Sequence, residues 1–75
     1  MIEEHERAVL TVDLPDYRLK AGDVGTVVHV YADHQAYEVE FFTVDGQTLD
    51  VVTLQADAVR PVGTLEVLHA RPLAS

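Results

Sequence analysis

Glu38 and Glu40, two positions apart in Tyr37-Glu38-Val39-Glu40-Phe41, come nearest in this chain to a pair of residues placed for chemistry. On an extended strand such residues share a face, with Cα atoms about 7 Å apart, which imitates the separation of paired catalytic carboxylates. Acid–base work needs two unequal environments to split the pKa values, and an outward strand face solvates both groups alike. The pair therefore reads as surface charge. His5, His29, His34 and His69 raise the question of a metal, but no two stand at the i, i+4 spacing of a metal-binding helix and the chain has no cysteine, so neither a metal nor any other cofactor is expected. Gly22-Asp23-Val24-Gly25 lacks the Lys-Ser/Thr of a phosphate loop, and Asp23 would repel a phosphate. Ser75, the single serine, is the final residue, where no base or oxyanion hole is expected around it. These residues describe a binding protein rather than an enzyme.

Bulk properties narrow the partner. Thirteen acidic against five basic side chains give a net charge of −8 over 75 residues, which repels nucleic-acid backbones and anionic membranes and suits a basic protein partner. Hydrophobic residues make up 48% of the chain, enough for a core. A chain of this length buries only about 60% of its unfolded surface and holds one domain, residues 1–75. The acidic N-terminal stretch has no apolar leader and no run approaches the ~20 residues needed to span a bilayer, so a cytoplasmic protein is expected.

The carboxylates need strands to position them. Arg7 to Val12 reads as a first strand, ended by Asp13-Leu14-Pro15-Asp16-Tyr17. Gly22 and Gly25 form a glycine turn running into a second strand, Val24 to Tyr31, and Ala32 to Gln35 is a turn. Ala36 to Val44 is the third strand, with Tyr37, Val39 and Phe41 facing in and Glu38 and Glu40 facing out. Asp45-Gly46 suits a tight primed hairpin turn, so Gln47 to Leu54 should return antiparallel, with Asp50 joining Glu38 and Glu40 on the outward face. Gln55 to Ala58 suits a 3₁₀ turn and Val59 to Val62 a fifth strand, which Pro61 places at an edge.

The result is an all-β fold: a small five-stranded SH3-like barrel over about residues 7–62, with a 3₁₀ turn before the fifth strand. Its core is expected to be Val9, Leu14, Leu19, Val27, Val30, Tyr37, Val39, Phe41, Val51, Leu54 and Val59. Residues 63–75 lie beyond it as a strand or tail. Leu65, Val67 and Leu68 make the stretch 64–70 apolar enough to pair with a barrel edge as an extra C-terminal strand, its own or that of a second copy in a homodimer. Leu73-Ala74-Ser75 should be mobile.

The segments Leu10 to Pro15, Gly22-Asp23-Val24-Gly25-Thr26-Val27-Val28, Tyr37 to Phe41 and Leu54 to Pro61 resemble the bacterial family of short proteins termed domain of unknown function 4926, over about Glu4 to Pro61. That resemblance implies a small stand-alone domain, compatible with an antitoxin-like or immunity-like partner of a protein encoded nearby. Gly25-Thr26-Val27 followed by Val30 also looks like the core of KOW-type SH3-like domains, which implies nucleic-acid association. Asp16, Asp23, Asp33 and Asp45 stand where such domains carry basic loops, and this argues against it. The expected function is a small acidic non-catalytic protein-interaction module, with Glu38, Glu40, Asp50, Leu65, Val67 and Leu68 on its partner-binding surface. The alternatives are a KOW-like nucleic-acid-associated domain or, behind it, a metal-binding or enzymatic accessory protein.

Overall fold

Period-two alternation organises the molecule, which is known from a computed structural model that describes residues 1–73. Five strands form one antiparallel sheet: β1 Arg7–Leu10, β2 Val24–Val30, β3 Ala36–Phe42, β4 Thr48–Gln55 and β5 Val59–Pro61. Their spatial order is β4-β3-β2-β1-β5, so the last strand returns to lie beside the first. Single 3₁₀ turns at Pro15–Tyr17, Ala32–His34 and Ala56–Ala58 connect them. The all-β class and the 3₁₀ turn before β5 are as the sequence predicts.

The sheet is open rather than a closed barrel. β4 and β5 are its two edges, with no ladder between them among the described residues. Only three residues long, β5 ends on Pro61, which has no amide to donate, so it completes the pairing with β1 and offers little to a further neighbour.

Inward residues Leu10, Leu19, Val27, Tyr37, Val39, Phe41, Leu54 and Val59 pack into one cluster, joined by Ile2, Ala8 and Val52, with Leu14 and Val30 half-buried against it. Val51 is a correction: it is exposed, and Val52 takes the core position. Successive strand residues point to opposite faces, so Val52 shares a face with Leu54 and Val51 cannot. Ile2 is buried despite its acidic surroundings because the His5 amide donates to the Val27 carbonyl at 2.7 Å and the Val27 amide to the Glu6 carbonyl at 2.9 Å, drawing the N-terminal turn onto β2.

The β3–β4 connection is one residue longer than expected. The Gly46 amide donates to Thr43 and the Thr43 amide to Gln47, enclosing a three-residue loop in which Gly46 alone takes a positive φ, at 88°. The ladder then shifts, pairing Phe41 with Asp50 but Phe42 with Thr48.

The extra C-terminal strand is absent from the chain's own sheet: no strand follows Pro61 among the described residues. Instead the Gly63 amide donates to Glu66 Oε1 at 2.5 Å and the Glu66 amide to the Gly63 carbonyl at 3.3 Å, curling the chain away from an edge. Leu73 is described and partly exposed; the rest of the expected mobile tail, Ala74 and Ser75, lies outside the described residues.

Candidate interaction surface

The outward face of β2, β3 and β4 carries the two carboxylates. Antiparallel register sets Glu38 between His29 and Thr53, and Glu40 between Thr26 and Val51. β-branched threonines favour such a strand, and their hydroxyls orient the acids. Thr53 donates to Glu38 Oε1 at 2.7 Å, Tyr31 donates to the same oxygen at 3.2 Å, and Thr48 donates to Glu40 Oε2 at 2.5 Å. The His29 ring meets Tyr31 edge-on, with centroids 4.5 Å apart, and so steadies that hydroxyl. Both carboxylates are half-buried, and among the described residues neither is in an ion pair. Chemically this is a row of acceptors whose donors are neutral hydroxyls, leaving their negative charge available to an external cation.

Asp50 does not belong to that row. It pairs with Phe41, which gives it the inward parity of Val52 and Leu54, and its Oδ1 accepts the Val51 amide at 2.8 Å. Alternation runs unbroken from Asp50 through Val52 to Leu54, so Asp50 sits on the other face, next to the ladder shift at the end of the sheet. Nor does the fold bring Leu65, Val67 and Leu68 together with the carboxylates. Leu65 and Val67 are almost fully exposed, while Leu68 lies at the rim of two grooves beside β1 and β2.

Two ion pairs tether the segment after β5. Arg60 forms a fork on Glu66, with N–O distances of 2.7 and 2.6 Å; the Arg60 guanidinium first, and the Gly63 amide second, hold the Glu66 carboxyl at about 2. Arg71 forms a second fork on Asp23, at 2.9 and 2.6 Å, and donates to the Arg18 carbonyl at 2.9 Å. Burial pushes the Asp23 carboxyl up, but the Arg71 guanidinium, the Lys20 amide and the charges of both residues together hold it below its ordinary value. Sequence reading missed the Arg71–Asp23 pair, because nothing local signals a contact between residues 48 positions apart.

Among the described residues no three His, Cys, Asp or Glu side chains converge as metal ligands, and no helix is long and apolar enough to cross a membrane. His34 instead meets Glu3 at 3.1 Å.

Fold and surface together define a small antiparallel β domain with an acidic outward sheet face. The chain belongs to the family of the domain of unknown function DUF4926, whose model matches residues 4–61. No curated protein and no solved structure matches it. The matched span takes in all five strands and stops at Pro61, leaving the tethered C-terminal segment outside.

Proposed function

We propose that this chain is a small, acidic, non-catalytic protein-interaction module that docks a basic partner on the outward face of β2, β3 and β4. One observation carries the reading: Glu38 and Glu40 are aimed outward by neutral hydroxyls while two of the five basic side chains, Arg60 and Arg71, are spent on other carboxylates. Net charge of −8 draws a basic protein in from a distance, and fixed acceptors reward its lysines and arginines on contact. An antitoxin-like or immunity-like role in the cytoplasm fits such a module, with the product of a neighbouring gene as partner.

The test is binding kinetics between the purified chain and the basic products of the genes flanking its own, at low and at physiological salt. The expected result is a salt-sensitive association rate that falls about tenfold or more in Glu38→Gln/Glu40→Gln, with dissociation less affected. An association rate indifferent to both salt and substitution would contradict the proposal, as would binding confined to nucleic acid.

A further inference from the structure

Val9 is buried, yet it is not part of the core cluster. It points to the outward side of β1, paired with Val24 of β2 and Arg60 of β5, and with Val24 and Val62 it lines a groove of about 190 Å³. The other wall of that groove is the C-terminal segment, through Glu66, Val67, Leu68 and His69. Further along, the same segment forms one side of a larger groove of about 550 Å³, where Leu68 and Leu73 face Val24, Phe42 and Leu49.

This segment behaves as a ligand that happens to be covalently attached. It makes no ladder with the sheet, lies outside the family's matched span, and is held at its ends by the two arginine–carboxylate forks. Leu68 meets the grooves, and three residues later Arg71 reaches Asp23, both members of that pair being about four-fifths buried at the side chain. Asp23 is fixed independently, since its carboxylate also accepts the Lys20 amide at 2.8 Å and its turn is closed by Gly22 at a φ of 98°.

We propose that the outward face of β1, β2 and β5 is a docking groove for an extended arginine-bearing peptide segment of a protein partner, and that residues 63–73 are its resident, displaceable occupant. The resident displays the chemistry the groove selects: an apolar side chain over Val9 and Val24, followed by a guanidinium on Asp23. An arginine-bearing segment is also what a chain of net charge −8 attracts. Attachment raises the local concentration of the resident, so an incoming segment competes at a disadvantage until the Arg71 fork is broken. The groove adjoins the Glu38 and Glu40 row, since Thr26 lines it and pairs with Glu40, but its test acts on Arg71 and Asp23 and leaves both glutamates in place.

A fluorescent peptide with the sequence of residues 63–73 tests this against three full-length chains: unmodified, Arg71→Ala and Arg71→Ala/Asp23→Asn, by anisotropy at low salt. The expected result is binding to Arg71→Ala at least about tenfold tighter than to the unmodified chain, with the gain abolished in the double variant. In a second arm, a peptide bearing the Arg71→Ala change should bind the Arg71→Ala chain at least about tenfold more weakly than the parent peptide, independently of how Asp23→Asn folds. Equal affinity of the parent peptide for the unmodified and Arg71→Ala chains would overturn the proposal, and so would absence of binding to Arg71→Ala.

Discussion

Gly25 has an ordinary negative φ, and what demands glycine there is space. A Cβ would come within 2.6 Å of Val39 Cγ1, 2.8 Å of the Glu40 carbonyl oxygen and 3.0 Å of Phe41 Cδ1. Gly25→Ala should therefore cost about 1–3 kcal/mol through overpacking, read by urea denaturation. Phe41→Ala removes a side chain only 3% exposed and should cost about 3–5 kcal/mol, most of the stability of so small a domain; a near-native melting temperature would mean the faces of β3 are reversed. Sequence assigned Gly22 and Gly25 one turn role, which holds for Gly22, whereas the crowding at Gly25 comes from a strand that pairs with β2 only in the folded chain. Asp23 provides a pH test. Its folded pKa is lowered, so the ionised form stabilises the fold above the ordinary carboxylate range, and that contribution is lost as pH falls through the lowered value. Melting curves of the unmodified chain and Arg71→Ala should differ at neutral pH, approach each other as the pH falls through the ordinary carboxylate range, and converge only below the lowered value.

At the scale of elements, β3 was the most legible because its alternation is unbroken from Tyr37 to Phe41 and it pairs with a strand on each side, β2 and β4. β4 was less so. Asp50 alternates with Val52 and Leu54, so its separation from Glu38 and Glu40 follows from period two anchored on Leu54, whereas the three-residue loop and the ladder shift at Phe41 and Phe42 leave no mark in Asp45-Gly46 alone. The C-terminal stretch looked like a strand on composition, but its fate is decided by Glu66 and Arg71, whose partners lie elsewhere in the chain. Truncation after Gly63 should remove the cover over Val9, costing about 1 kcal/mol of apolar burial and lowering the melting temperature by roughly 4–8 °C. An unchanged melting temperature would mean that the segment contributes no cover. The acidic pair behaves oppositely: Glu38→Gln/Glu40→Gln should keep stability within about 0.5 kcal/mol, because glutamine still accepts the threonine hydroxyls.

Over the whole molecule, charge is distributed unevenly. Of thirteen acidic side chains, Asp23 and Glu66 are matched with arginine and Glu3 meets His34, while the sheet face bearing Glu38 and Glu40 has no such partner among the described residues. The sign and size of this imbalance were evident in composition; its placement required the register of three strands. The central claim, that this face meets a basic protein, is tested most directly by amide chemical shifts of the labelled chain titrated at low salt with a basic flanking-gene product that binds it. Perturbations should concentrate at His29, Glu38, Glu40, Val51 and Thr53 and diminish as salt is raised. Saturable perturbations that leave these five residues unmoved would contradict it.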